Sequence, residues 1–251
     1  MEQIDELRAR VARACRVLGR LDLTKAAMGH VSARIPGTER VLIRARGPGE
    51  LGVRYTEDDQ IVEVGLDGEL RAPNDAGLKS PIEIFIHTEI YRRRPDVYSV
   101  IHIHPPTAVL FTICDRPLLP LYGAFDPKSL QLVLDGIATY ERSILIDSPE
   151  LGQQVARTMG GALVCLMRGH GISTAAASIE EAALAAIAVN DLATMNYQAY
   201  LLGNPRPISR EDQEAFRDLE RAPVSENGSI PTGRPGALWR YYCAVTGADT
   251  D

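Results

Sequence analysis

Short β-branched segments and longer amphipathic stretches follow one another along this chain of 251 residues without a regular repeat. Residues 41–43 and 61–64 are short and β-branched, which favours strands. Residues 4–22 carry apolar side chains at helical spacing, which predicts an amphipathic helix. The order of these segments lacks the even βαβ spacing of a doubly wound fold. We therefore expect an α/β protein with a single three-layer α/β/α domain and a mixed, mainly antiparallel central sheet.

Three segments begin with a serine in a pattern that is typical of helix starts. The first, residues 80–83, places Ser80 at the N-cap, Pro81 at the first helical position and Glu83 at the third, and predicts a helix to about Arg93. Similar starts at Ser148 and Ser178 predict helices that end near Gly160 and Gly203. Further strands are expected at residues 97–103, 143–146 and 162–167.

The C-terminal part differs in composition from the rest. Residues 1–208 contain the predicted strands and are expected to form one folded domain, whereas residues 209–221 are charged and helical. Residues 222–236 are polar and rich in Gly and Pro, which predicts a loop or an extended arm before a short aromatic tail. We assign residues 209–251 to a C-terminal helix and an aromatic arm at a subunit interface. Packing of the aromatic side chains on their own subunit is the alternative.

Composition excludes several classes of protein. The formal net charge is -6, and a general nucleic-acid binder would need a basic surface that this chain lacks. The longest aliphatic run, Ala182–Val189, is far too short to span a bilayer. The acidic N-terminus does not resemble a signal peptide, and the cysteines are far apart. We expect a cytoplasmic protein without nucleic-acid or membrane partners.

The histidines suggest a metal site. His102 and His104 come at the end of an apolar strand, and side chains two residues apart on a strand point to the same side. A second buried strand runs into Gly169-His170-Gly171, where the glycines allow a sharp turn. Three neutral imidazoles with an open fourth position are typical of a catalytic site for Zn²⁺ or a similar ion.

Glu83 has two interpretations from the residues alone. As the third residue of a capping box, its carboxylate would stabilise the start of the helix. His87, one turn later, would share its face of that helix. The local pattern favours the cap, and a catalytic role for Glu83 needs support from elsewhere.

Several motifs together resemble the class II aldolase/adducin family over roughly residues 5–205. They are Gly29-His30-Val31-Ser32-Ala33-Arg34, Ser80-Pro81-Ile82-Glu83 leading into Ile86-His87, Arg94-Pro95-Asp96-Val97 through His102-Ile103-His104-Pro105, and Arg168-Gly169-His170-Gly171. The resemblance implies a three-layer fold and a divalent metal bound by His102, His104 and His170. It also implies Glu83 as the catalytic acid or base, and a C4 tetramer with active sites between subunits.

The departures from the family pattern concern the substrate. His30 replaces an Asn of the sugar-phosphate aldolases, Arg44-Ala45-Arg46-Gly47-Pro48-Gly49 replaces a Thr/Ser-Gly phosphate turn, and Ser80-Pro81 replaces Ser-Ser. These changes disfavour a sugar phosphate. Arg46 is expected to pair with a substrate carboxylate; the alternatives are that it binds a phosphate, or that Arg44 or Arg46 is a surface residue of a strand. His30 is a possible further donor, and Ser80, Tyr241 and Tyr242 complete the candidate substrate-binding residues.

The resemblance implies a metal-dependent carbon–carbon lyase. The activity that we favour is decarboxylation of a hydroxylated aromatic, or related ring-cleavage, carboxylic acid through a metal-stabilised enolate. One alternative is a class II aldolase or epimerase acting on a sugar phosphate or hydroxy acid. Another is a non-catalytic adducin-like interaction module, which is disfavoured because the three metal histidines are retained. The expected cofactor is one divalent ion per subunit, Zn²⁺ or Mn²⁺ with Co²⁺ or Fe²⁺ possible, and the expected assembly is a homotetramer.

Overall fold

A seven-stranded mixed sheet forms the middle layer of the protein. The computed structural model describes residues 2–72, 76–221 and 235–248. Within them the strands are β1 (His30–Arg34), β2 (Arg40–Arg44), β3 (Ile61–Gly65), β4 (Ser99–Ile103), β5 (Ala138–Tyr140), β6 (Val164–Met167) and β7 (Gly171–Ala176). Their order is β3-β2-β1-β4-β7-β6-β5. Neighbouring strands are antiparallel except β5 and β6, which are parallel.

Helices cover both faces of this sheet. They are α1 (Glu2–Arg20), α2 (Ile84–Arg93), α3 (Pro106–Ile113), α4 (Pro127–Asp135), α5 (Pro149–Met159), α6 (Ile179–Leu202), α7 (Arg210–Arg221) and α8 (Pro235–Thr246). Side chains of α1, α6 and α8 pack into the core on one face, and those of α2 and α5 form the core on the other. The expected three-layer α/β/α architecture with a mainly antiparallel sheet is confirmed.

Two of the three serine starts are confirmed by their hydrogen bonds. The Ser148 side chain accepts a hydrogen bond from the Leu151 amide at the start of α5, and Ser178 accepts one from the Glu181 amide at the start of α6. Each satisfies an amide that the first turn of a helix leaves without a partner.

The capping box predicted for α2 is wrong. The helix begins at Ile84, Glu83 is the N-cap residue, and no side chain caps this terminus. Ser80 therefore lies before the helix rather than at its N-cap. The reason is tertiary: the Glu83 carboxylate accepts a hydrogen bond of 2.9 Å from the buried Ile146 amide instead of bonding locally. The turn before α2 is closed by the backbone, since the Ile84 amide donates to the Pro81 carbonyl.

The structure also differs from the prediction between α3 and α5 and in the aromatic tail. The segment 143–146 is not a strand; the strand at this edge is β5, a few residues earlier, and helix α4 was not expected. The aromatic tail is helical, because it forms α8, which packs with Trp239 and Cys243 against the core of its own subunit. The predicted arm falls largely on residues 222–234, which lie outside the described residues. Within the part of the chain that is described, no helix is long and apolar enough to cross a membrane.

The close approach of α5 to α2 gives a test of this packing. A Cβ on Gly152 of α5 would lie 2.4 Å from the carbonyl oxygen of Phe85 in α2, a distance that real contacts do not show. We expect Gly152→Ala to lower the free energy of unfolding by about 1–3 kcal/mol, because the two backbones must separate. Gly161→Ala is the control, since nothing lies within 4 Å of its added Cβ. Equal thermal melting curves for the two variants would contradict the prediction.

Candidate metal centre and active-site cavity

Strand β4 carries two of the histidines to the centre of the sheet. His102 is fully buried and lies opposite His30 of β1 and Ser173 of β7. His104 follows immediately after the strand, just before Pro105 and Pro106 open α3. The His102 Nδ1 lies 3.2 Å from the Ser173 hydroxyl. That contact leaves Nε2 of His102 for a ligand, as outer hydrogen bonds do for metal-bound histidines.

The turn between β6 and β7 carries the third histidine. Gly169 has a φ of 58°, which a residue with a side chain rarely adopts. A Cβ on Gly171 would lie 2.4 Å from the Ile103 carbonyl oxygen, so the turn approaches β4 more closely than a side chain would permit. Both glycines therefore serve to place His170 beside the end of β4.

The three histidines and Glu83 converge on one point. The Nε2 atoms of His102 and His104 lie 2.9 Å apart, and Oε2 of Glu83 lies 3.3 Å from His170 Nε2 and 3.5 Å from His102 Nε2. One ligand atom from each of the four residues falls within 4.8 Å of all the others. Three imidazoles and a carboxylate in this arrangement fit a divalent transition-metal ion.

The protonation states suit such an ion. Burial lowers the pKa of His102 and lowers that of His104 to about 3, so both rings are neutral near pH 7. Neutral imidazole is the form that binds metals. Burial by itself would raise the pKa of Glu83, but hydrogen bonds and charge interactions with His102 and His170 outweigh it and keep the carboxyl ionised.

A cavity of about 540 Å³ opens beside the four residues. The predicted site residues that line it are His30, Arg46, Glu83, His104 and His170. Ser80 is not among the lining residues; its carbonyl accepts a hydrogen bond of 3.0 Å from Nε of Arg46. The structure thus brings most of the candidate residues together, and a substrate contact by the Ser80 side chain stays a prediction.

The two tyrosines of α8 lie apart from this cavity within one subunit. Neither is among its lining residues; Tyr241 is exposed and Tyr242 packs against the core. A role for either in binding substrate therefore requires a second subunit, and it stays a prediction.

Two features of the site were not expected from the sequence. Arg44, which lines the cavity, is buried and ion-paired with Glu50, and it also donates to Thr56. His87 of α2 is fully buried and lies 2.7 Å from the ring of His30. Burial lowers the pKa of His87 to about 3. The one available signal was the position of His87 one turn after Glu83, which does not reveal its partner on β1.

Residues 9–197 match the sequence profile of the Class II Aldolase and Adducin N-terminal domain. The chain therefore belongs to the class II aldolase and adducin family, as the motifs implied.

Several named relatives match this chain over most of its length. The chain is 39% identical to a 3,4-dihydroxyphthalate decarboxylase of Arthrobacter keyseri, with 94% of this chain and 92% of that protein covered. It is 34% identical to the protein of the same name from Rhodococcus jostii, with 96% of each covered. A solved aldolase II superfamily protein from Pseudomonas syringae superimposes with a TM-score of 0.80 at 21% identity, covering 96% of this chain and 92% of that one. The last comparison shows that the fold is shared.

Removal of one imidazole tests the candidate metal centre. We expect His104→Gln to weaken Zn²⁺ binding by about 100-fold or more, because even outer hydrogen-bond partners of metal ligands contribute 10–100-fold. His30→Asn, which removes an imidazole of the same cavity outside the ligand cluster, should keep the metal. Elemental analysis and competition with a chromogenic chelator measure both variants. Stoichiometric, tight Zn²⁺ in His104→Gln would show that the ligands are others.

Proposed function

We propose that this chain is a metal-dependent decarboxylase of a hydroxylated aromatic dicarboxylate such as 3,4-dihydroxyphthalate. The observation that carries the proposal is the 34–39% identity to decarboxylases of that name over 94–96% of the chain. The matched length includes each element that lines the cavity. This is also the activity that the altered phosphate-binding motifs favour.

The lining of the cavity is suited to an aromatic acid. Apolar side chains make up much of its wall: Ala27, Met28, Ala45, Pro81, Ile82, Ile144 and Leu145. Such a wall accommodates the faces of a ring, and a volume of about 540 Å³ is within the range of small-molecule sites. The polar groups that face the cavity include the histidines, Glu83 and one guanidinium that has no ion pair among the described residues.

That guanidinium belongs to Arg46. Arg44 is held by its ion pair with Glu50 and by hydrogen bonds to Thr56 and to carbonyls of the 27–29 loop, so it supports the wall. Arg46 uses Nε for the Ser80 carbonyl and is exposed at the cavity. Its two terminal nitrogens can bind a carboxylate bidentately. We assign to Arg46 the carboxylate that the reaction retains.

His102, His104 and His170 would hold the metal ion, with Glu83 beside them. Imidazole ligands suit Zn²⁺, and Mn²⁺ is the second candidate, with Co²⁺ or Fe²⁺ as substitutes. When bound there, a divalent ion supplies a Lewis acid that draws electrons from the reacting part of the substrate.

Glu83 is the residue to which we assign proton transfer. Of the two carboxylates that line the cavity, Glu50 is paired with Arg44, which leaves Glu83. Loss of CO₂ breaks the bond between the ring and the carboxylate and leaves the electron pair on the ring carbon. That carbon needs one proton: the Glu83 carboxylate, ionised at rest, takes a proton up from solvent and passes it to the carbon, which leaves the carboxylate ionised again. The Ile146 amide fixes one carboxylate oxygen, so the other faces the histidines.

We further propose a cytoplasmic homotetramer in which the C-terminal part of one subunit contributes Tyr241 and Tyr242 to the site of a neighbour. Tyr241 supports this, because the residue is 57% exposed beside the half-buried Tyr242. Light scattering and turnover of a chain truncated after Arg221 test the assembly. An active tetramer without these residues would contradict it.

A substrate panel tests the proposed function. Purified protein loaded with Zn²⁺, Mn²⁺, Co²⁺ or Fe²⁺ is supplied with 3,4-dihydroxyphthalate, related hydroxylated aromatic acids and fuculose-, rhamnulose- and ribulose-type phosphates. Release of CO₂ and formation of aldehyde are followed separately. The proposal requires CO₂ from a hydroxylated aromatic acid. Aldehyde from a sugar phosphate, with no CO₂ from any acid, would establish the aldolase alternative instead.

A neutral amide in place of the Glu83 carboxyl tests the proton-transfer role. We expect Glu83→Gln to lower kcat by about 10²–10⁴-fold, which is the usual contribution of a general acid or base. Glu89→Gln is the matched control, because Glu89 is also buried on α2 but pairs with Arg92 outside the cavity. Metal content and melting temperature are measured for both. Full turnover in Glu83→Gln would leave the carboxyl with a structural role only.

Substitution of Arg46 tests the carboxylate contact. We expect Arg46→Ala to raise KM for a dicarboxylate by about tenfold or more, and Arg46→Lys to recover part of the loss, because an ammonium keeps the charge without the bidentate geometry. Arg40→Ala is the control, since Arg40 lies on β2, which ends just before Arg46, and pairs with Glu63. Unchanged KM values for Arg46→Ala would assign the carboxylate to another group.

A further inference from the structure

A line of buried polar side chains runs from the cavity into the interface between the sheet and α2. Nδ1 of His30 lies 2.7 Å from Nε2 of His87, and Nδ1 of His87 lies 2.6 Å from the Ser32 hydroxyl. The Ser32 hydroxyl in turn lies 2.8 Å from the hydroxyl of Tyr91. Ser32 and His87 are fully buried, and Tyr91 is 2% exposed. The catalytic residues assigned above do not include His87, Ser32 or Tyr91.

The inner end of this line is anchored on the backbone of β4. The Ser32 hydroxyl donates to the Val100 carbonyl at 3.2 Å, and the Val100 amide donates to the Tyr91 hydroxyl at 3.1 Å. A carbonyl can only accept a hydrogen bond, and the single proton of the Ser32 hydroxyl is used for it. With its proton on the Val100 carbonyl, the Ser32 oxygen accepts a hydrogen bond from Nδ1–H of His87, the shortest of its contacts.

The direction of the hydrogen bond between His87 and Ser32 determines the direction of the next one, between His30 and His87. A neutral imidazole that donates from Nδ1 has an unprotonated Nε2, so His87 accepts a hydrogen bond at that atom. The two ring nitrogens that lie 2.7 Å apart share one proton, which then belongs to Nδ1 of His30. Nε2 of His30 is left unprotonated by the same rule. The backbone carbonyl at the inner end thus determines which nitrogen of His30 can accept a hydrogen bond.

The unprotonated nitrogen is the one available to a ligand. His30 lines the cavity, it is not one of the four clustered metal-ligand candidates, and no hydrogen bond of the described residues engages its Nε2. A bare ring nitrogen attracts a hydrogen-bond donor and repels a carboxylate. Arg46, which lines the same cavity, instead attracts a carboxylate. The two residues can therefore distinguish the hydroxyl side of a substrate from its carboxylate side.

We propose that His30 accepts a hydrogen bond from a phenolic hydroxyl of the substrate, and that His87 and Ser32 are positioning residues that keep Nε2 of His30 unprotonated for this contact. The inference rests on the proposed function, because it takes a hydroxylated aromatic acid as the ligand. The inference adds to that function the residue that recognises the hydroxyl, His30. It also adds the buried residues, His87 and Ser32, that determine which nitrogen of His30 accepts a hydrogen bond.

Nitrogen NMR tests the hydrogen-bond direction without any turnover. In Zn²⁺-loaded protein labelled with ¹⁵N, the shifts and long-range couplings of each ring identify its protonated nitrogen. We expect His30 and His87 both to be protonated at Nδ1 and bare at Nε2. A proton on Nε2 of His30 would overturn the proposal, because the residue would then be a donor toward the substrate.

Variants at His87 test the consequence for binding. His87→Leu removes the acceptor for His30 Nδ1, whereas His87→Gln retains an amide oxygen that can replace it. We expect KM for 3,4-dihydroxyphthalate to rise about tenfold in His87→Leu, which is the value of one hydrogen bond, and to be largely restored in His87→Gln. Zn²⁺ content should stay unchanged in both. Equal KM values for His87→Leu and the unaltered protein would overturn the proposal.

Thr88→Val is the matched control for these variants. Thr88 is the fully buried neighbour of His87, and its hydroxyl has no partner among the described residues, so the substitution changes polarity without breaking the line. A KM effect of Thr88→Val equal to that of His87→Leu would indicate general disturbance of α2 and count against the proposal. The two failures are distinguishable: a wrong function gives no CO₂ from the unaltered protein, whereas a wrong His30 role gives normal turnover with a protonated Nε2.

Discussion

The central position of β4 decides where each chemically active side chain can lie. Its antiparallel neighbours β1 and β7 place His30 and Ser173 directly opposite His102. The glycine turn after β6 adds His170 at the same end of these strands. In this register His30, Ser32 and His102 point to the face covered by α2. The cavity, the metal-ligand candidates and the buried polar line are therefore consequences of one pairing pattern.

Glu83 connects this end of the central strands to the layer of helices. Its carboxylate contacts two histidines and the Ile146 amide, while its backbone begins α2. The start of the helix consequently lacks a side-chain cap, and the carboxylate is committed to the site. A local stabilising interaction has been given up for a tertiary one, which is typical of residues at functional sites.

The sequence was most informative where the signal is local. The spacing of His102 and His104 on a strand and the glycines around His170 predicted three converging imidazoles, because strand periodicity and glycine conformation depend on few neighbours. Glu83 was misplaced at the third position of α2, since the contact with Ile146 spans 63 residues.

The same reason explains the other errors. The segment 143–146 has the composition of a strand, yet its Ile146 amide bonds to Glu83, and β5 is the strand that pairs with β6. His87 could not be assigned because its partners, His30 and Ser32, lie on a strand that the helical pattern around it does not reveal. The motifs identified the family and favoured a hydroxylated aromatic acid, and relatives 34–39% identical to this chain are decarboxylases of such an acid by name.

The pairing of β1 with β4 has a consequence for molecules that misfold with a shifted strand register. A shift of β1 by one residue would turn His30 and Ser32 to the opposite face of the sheet together, and would bury Val31 and Ala33 against α2 in their place. A molecule misfolded in this way would lose the whole polar line at once rather than one contact. The polar line is therefore formed or lost as one unit with the register of β1 against β4, whereas the metal-ligand candidates on β4 and in the turn after β6 do not depend on that register.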